Sequence, residues 1–321
     1  MIKKYPLLSF IVITYGITWL SLVPLLITGI EETEILLTIG LFGPALGAYI
    51  VTRLSNPEQK ETRDMRFWWI FLGTLFLGTL VWSLESNIRS QIPINTALAI
   101  FWIPTLLLAW MCANAWNRRP SIRMFFRDLI FPKGPWWIFV FCLLYFPVSH
   151  YMFTFIVGSE HNLWPKDQTG IAYVGLWLLV SIKILFFTGG VNEETGWRGF
   201  LLKGILEKFN PIIATLIVWV IWAVWHFPYE LGPTSNMTIY EVGEKWLWML
   251  PPTALFTWAF VRTGGSILVC ALLHMSMNVT SEFIPITFEA KVLTILVAIF
   301  LFTELKFSMK ETKSSSDLVQ Q

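Results

Sequence analysis

The chain has 321 residues, of which 55% are hydrophobic and 14% charged, with a formal net charge of +2 and a mean hydropathy of +0.61. A soluble domain carries about 25% charged residues, and a surface that faces water needs polar cover however large the core beneath it. The deficit excludes a water-soluble globule and makes lipid the solvent. The small net charge gives no reason to expect nucleic acid as a partner. Cys112, Cys142 and Cys270 all lie in apolar runs, with neither a disulfide pattern nor metal-ligand spacing.

A spanning helix needs about 20 mostly apolar residues. In chain order that rule picks out 7–29, 35–54, 67–84, 96–116, 136–157, 172–206, 211–227, 244–261, 266–283 and 290–305. The expectation is an all-α, polytopic transmembrane helix bundle of about ten spans in the cell membrane. Lys3 and Lys4 precede the first run and no small-residue cleavage site follows it, which reads as a retained helix. The sixth run is long enough to contain a break, for which Gly189-Gly190 is the natural place. Pro251-Pro252 in the eighth implies a kink or a helix start. The polar end after Lys306, with Ser314-Ser315-Ser316, reads as an irregular tail. Three segments follow: 1–170 without a recognisable motif, 171–306 with all the chemistry, and 307–321 as the tail.

Basic residues favour the cytoplasmic side. Alternating crossings put Lys3, Lys4, Arg53, Lys60, Arg63, Arg66 and the 118–133 segment on that side, with Lys203, Lys208, Arg262, Lys306, Lys310 and Lys313. Only Arg89, Lys166, Lys245 and Lys291 fall opposite, where the first loop carries Glu31, Glu32 and Glu34. Both termini are then cytoplasmic.

Charged groups inside membrane helices are expensive and mark functional sites or pathways. Asn192-Glu193-Glu194-Thr195-Gly196-Trp197-Arg198 sets two carboxylates and a guanidinium between apolar runs. Glu194 and Arg198 have the spacing of a helical ion pair, which leaves Glu193, about 100° around the helix, free for chemistry. His226 closes the next run, four residues after Trp222, and His274 shares a helix face with Asn278. Glu193 lies fifteen residues before Lys208 and His226 fifteen after Pro211, so each sits about 22 Å from the same end of the bundle at 1.5 Å per residue. His274, nine residues past Gly265, sits at about 14 Å on the same rise. The three elements can meet.

A free carboxylate beside two histidines suggests water activation. Glu193 could act as general base with His226 orienting the water, while His274 and Asn278 donate to an oxyanion and Glu194 with Arg198 holds the helix. The same groups, Glu193, His226 and His274, could instead ligate zinc with one position open for water, although the chain has no HExxH helix. Both schemes stand on the residues alone.

Glu-Glu-x-x-x-Arg (Glu193, Glu194, Arg198), aromatic-x-x-x-His (Trp222, His226) and His-x-x-x-Asn (His274, Asn278) resemble, in order and spacing, the three motifs of the CPBP (CAAX protease and bacteriocin-processing, or Abi) family. The resemblance covers about residues 180–280. It implies a glutamate- or metal-dependent intramembrane peptidase acting on hydrophobic or lipidated, CAAX-type peptides within membrane lipid. Glu193 and His226 would activate water, and His274 and Asn278 would stabilise the oxyanion. Trp222 stands where the family more often has phenylalanine, a change that bears on packing near His226. Two other classes use the same features: a non-catalytic immunity or scaffold protein, and a transporter, against which the absence of inverted repeats counts.

Three further residues have readings of their own. Lys183, eleven residues before Glu194, is either its buried partner on a shared face or a lysine snorkelling to an interface. His150 reads as a structural hydrogen-bonding residue, and His161 as a loop residue facing water.

Overall fold

The computed structural model describes residues 2–28, 34–57, 63–159, 163, 170–232, 235 and 237–319. Glu31, Glu32, Lys60, His161 and Lys166, which carry expectations above, lie outside them. Every regular element among the described residues is helical, and the molecule is an all-α polytopic bundle.

The N-terminal half contributes α1 (Pro6–Thr28), α2 (Glu34–Leu41), α3 (Gly43–Ser55), α4 (Met65–Ser90), α5 (Ile94–Asn114), α6 (Pro120–Ile130) and α7 (Trp136–Ile156). The expected second span is divided at Phe42, because Pro44 in the first turn of α3 has no N–H with which to continue α2. The basic 118–133 segment, which falls between two of the expected spans, holds α6. Pro120 opens this helix, and Ile122, Phe126 and Leu129 fall on its buried face at the i, i+4, i+7 spacing of an amphipathic helix. Each such side chain stabilises docking by about 1.5–3 kcal/mol relative to exposure to water.

The motif-bearing half begins with α8 (Gly170–Phe187). The chain breaks where the paired glycines suggested, and resumes as α9 (Gly190–Gly196), a π-helical segment at Trp197–Leu202 and α10 (Lys203–Leu206). There follow α11 (Pro211–Trp225), α12 (Phe227–Glu230), α13 (Ile239–Trp248), α14 (Leu250–Arg262), α15 (Ile267–Phe283) and α16 (Phe288–Val319). The tandem prolines lie in the first turn of α14 and start it. No proline or glycine interrupts 288–319, and the serine-containing end expected to be irregular continues α16.

Among the described residues, Pro6–Pro24, Met65–Ser90, Ile94–Asn114, Trp136–Ile156 and Gly170–Leu206 are long and apolar enough to cross a membrane, while Pro211–Trp225 and Ile267–Phe283 are apolar but shorter. The outward faces stay apolar, with Ile171 91% and Phe76 68% exposed. In water such surfaces would associate; in lipid they are solvated. At the core, α9 lies between α3 and α15. A side chain on Gly196 would come within 2.5 Å of the Pro44 backbone, so a residue without Cβ is what lets α9 approach α3 this closely.

Candidate active site

Glu193 and Glu194 occupy the short α9, while Arg198 lies in the π-helical segment that follows, a geometry enriched at functional sites. Arg198 Nη1 donates to Glu194 Oε1 at 2.7 Å, both residues being fully buried. The expected ion pair is present. The guanidinium lies over the rings of Phe256 and Trp222, 4.0 and 4.6 Å from Cζ to their centroids. Among the described residues its Nε and Nη2 have no hydrogen-bond acceptor, and the negative ring faces take part of that role.

His274, on α15, brings Nδ1 to 2.7 Å from Glu194 Oε1. Glu194 thus joins α9 to α15 as well as to its own helix. His274 is not held by Asn278. That residue, half-buried one turn further along α15, directs its side-chain NH₂ to the Thr188 carbonyl at 3.4 Å. The backbone at Gly189 passes against both: a Cβ there would come within 2.7 Å of His274 Nε2 and 2.9 Å of Asn278 Nδ2. Gly189 also has φ +133, a conformation that other residues adopt only under strain. Its N–H donates to Asn192 Oδ1 at 3.0 Å, while the Asn192 amide reaches the Leu41 carbonyl at 2.9 Å.

Glu193 points elsewhere. Its Oε2 accepts from the indole N–H of Trp222 on α11 at 3.0 Å and from that of Trp197 at 3.3 Å. His226 follows the last residue of α11, with Nδ1 2.8 Å from the Trp222 carbonyl. A carbonyl only accepts, so Nδ1 carries the proton in this contact and Nε2 is left as an acceptor. The Trp222 ring lies 5.7 Å from the His226 ring and 5.6 Å from the His274 ring, centroid to centroid. One indole therefore touches both histidines, the arginine and the glutamate.

The six candidates are gathered on α9, its π-helical continuation, the end of α11 and α15. Spacing alone missed Trp222 and Trp197 as hydrogen-bond donors, Phe256 as a cover for Arg198, and Gly189 as the space left for two side chains. Lys183 is not a partner of Glu194. Its Nζ lies 2.9 Å from Glu85 Oε2 on α4, a carboxylate just past the expected end of that span. His150 is buried with Nδ1 2.9 Å from the Phe146 carbonyl, as a structural role requires.

Three donors converging on one point would be needed for zinc. Among the described residues no three His, Cys, Asp or Glu side chains are grouped closely enough to hold a metal ion. Glu193 Oε2 and the Nδ1 atoms of both histidines are engaged by Trp222 and Glu194, and the opposite atoms of the three side chains, Oε1 and the two Nε2, have no such partner among the described residues. A cavity of about 810 Å³ lies at another part of the bundle, between Leu7, Phe125, Lys203, Lys208 and Ile267, and none of the six candidates lines it.

Residues 175–280, a stretch that contains all three motifs, match the Rce1-like family, described as type II CAAX prenyl endopeptidase Rce1-like. CAAX prenyl protease 2 of Methanococcus maripaludis is 25% identical over 122 residues, which are 36% of this chain and 44% of that protein. The chain thus matches less than half the length of this relative. Over this stretch, which holds the three motifs, the chain is similar to the Rce1-like family and to this CAAX prenyl protease.

Proposed function

We propose that the chain is an intramembrane endopeptidase that hydrolyses hydrophobic, CAAX-type peptides with a water activated by protein side chains. The observation that carries this reading is a pattern of anchored and free atoms. Glu193 is held by Oε2 and each histidine by Nδ1, which leaves Glu193 Oε1, His226 Nε2 and His274 Nε2 for substrate and water.

In the proposed reaction, Glu193 takes a proton from water through Oε1 as the water oxygen attacks the scissile carbonyl carbon. His226 Nε2 accepts the second hydrogen bond of that water and orients it. The carbonyl oxygen becomes an oxyanion, and His274 Nε2–H and the Asn278 NH₂ donate to it. With Nδ1 donating to Glu194, His274 can donate from Nε2 as well only when both nitrogens are protonated, and the Glu194 carboxylate balances that charge. Collapse of the tetrahedral intermediate breaks the C–N bond, and the proton taken from water passes to the leaving nitrogen. The relative named as a CAAX prenyl protease favours a prenylated peptide as the substrate.

The test is cleavage of hydrophobic and farnesylated peptides by protein purified in detergent, wild type beside Glu193→Ala, with and without a chelator. Cleavage is expected from wild type, lost in the variant and unchanged by chelation. Chelator-sensitive cleavage restored by zinc would overturn the metal-free chemistry. A cellular phenotype that survives Glu193→Ala would overturn the peptidase.

A further inference from the structure

Among the buried polar groups near the motifs, the indole of Trp222 stands out because its ring and its N–H do different things. The ring is an aromatic wall between two imidazoles, packed against Phe256 with centroids 5.9 Å apart and the planes at 88°. Any large aromatic side chain supplies such contacts. The N–H is specific to tryptophan in that position, and it donates to Glu193 Oε2 at 3.0 Å across the gap between α11 and α9. Trp197, one turn beyond Glu193 on its own helix, adds a longer bond to the same oxygen at 3.3 Å.

Two donors on one oxygen make a carboxylate asymmetric. Oε2 is filled. Oε1 receives no hydrogen bond from the described residues, and it is not walled in as Glu194 Oε2 is. Glu193 is only 4% exposed, so without an anchor its side chain could swing through several rotamers and present either oxygen, or neither, to a bound water. The neighbouring Glu194 cannot replace it, because its Oε1 is shared between Arg198 and His274.

We infer that Trp222 is a positioning residue for Glu193: its indole N–H pins Oε2, with help from Trp197, so that Oε1 is the oxygen that takes the proton from water. Trp222 also fixes His226 through its carbonyl, so one residue sets both partners of the water, one by its side chain and the other by its backbone. Substitution of the side chain removes the first and leaves the second. This inference rests on the peptidase reading given above.

Trp222→Phe is the direct test, because it keeps a ring between the histidines and removes the donor. A hydrogen bond to a charged group is strong enough that kcat is expected to fall by about tenfold or more. KM is expected to stay within about twofold, since the substrate does not touch Oε2. A kcat equal to wild type overturns the inference, and so does a loss confined to KM. A second measurement does not depend on turnover. In protein labelled with ¹⁵N-tryptophan, the indole N–H resonance that disappears in Trp222→Phe is expected to shift in Glu193→Ala and to stay in place in His226→Ala. A resonance indifferent to Glu193→Ala overturns the inference even if Trp222→Phe unfolds. A wild type that cleaves no peptide sinks the peptidase reading and any catalytic role for Trp222 with it, and the resonance separates that outcome from loss of the hold itself.

Discussion

Arg198 carries a full charge with no exposed surface, and the cost of disturbing its neighbours follows from that. Glu194 is its only carboxylate partner among the described residues, and removing one member of a buried pair strands the other. Glu194→Ala is therefore expected to destabilise the protein by about 3–5 kcal/mol, read as a lower unfolding midpoint in detergent. His226 is half-buried and, among the described residues, its side chain makes one hydrogen bond, to a backbone carbonyl, so His226→Ala is expected to cost only about 1 kcal/mol while abolishing cleavage. Equal destabilisation by the two variants would contradict this separation of scaffold from chemistry. Gly189→Ala belongs with the first kind. Its methyl group would meet His274 Nε2 and Asn278 Nδ2 and hold a positive φ, so loss of both stability and activity is expected, measured by the same two assays. The pair at Glu194 and Arg198 was legible because i, i+4 spacing is a property of one helix. The bonds from Glu194 to His274 and from Trp222 to Glu193 were not, since each depends on how two helices are rotated against one another.

The elements repeat this contrast between what one segment encodes and what only packing decides. The break at Gly189-Gly190 and the start of α14 at its prolines were legible, because glycine and proline act on their own backbone. The charged contact between α4, α8 and α15 was not. Glu85, 1% exposed, lies 2.9 Å from Lys183 and 3.6 Å from Arg89, whose other nitrogen reaches Glu282 on α15 at 2.5 Å. A helical face drawn from Lys183 leads toward Glu194 on its own chain segment, but the break after Phe187 ends that face, and the lysine turns to α4. Lys183→Met is expected to leave Glu85 short of a partner and to destabilise by about 3 kcal/mol. Adding Glu85→Leu is expected to recover most of it, because two apolar groups replace a pair whose desolvation cost offsets much of its attraction. Arg89 keeps Glu282 in both variants. Unfolding midpoints of the two single variants and the double variant form the cycle, and a double variant weaker than the sum of the singles would show that the charges do more than hold three helices together.

Across the whole molecule, five of the basic residues that alternating crossings assign to one side meet at one end of the bundle. Lys3, Arg127, Lys133, Lys203 and Lys208 line a single cavity although only Arg127 and Lys203 lie in helices, α6 and α10, and the other three lie in the segments before α1, after α6 and after α10. Residues assigned to the other side meet acidic partners from neighbouring helices, Arg89 with Glu282 and Lys291 with Glu244. By the excess of Lys and Arg, the end that carries this cavity is expected to face the cytoplasm. His226 stands at the far end of α11 from Pro211, about 22 Å along a helix in a hydrocarbon layer about 30 Å thick. The candidate site is then nearer the face that carries Lys245 and Lys291 than the face that carries Lys208. A membrane-impermeant thiol reagent can test this, because Cys142 and Cys270 are buried and Cys112 is largely shielded. Lys291→Cys is expected to be labelled in intact cells, and Lys208→Cys only after the membrane is opened. Reversed labelling would invert the topology and bring the site toward the cytoplasmic face, so that a peptide made in the cytoplasm would reach Glu193 without crossing most of the bilayer. The expected pattern instead requires the substrate to enter the membrane deeply before it is cut, which favours peptides carrying a long apolar segment or a lipid over short polar ones.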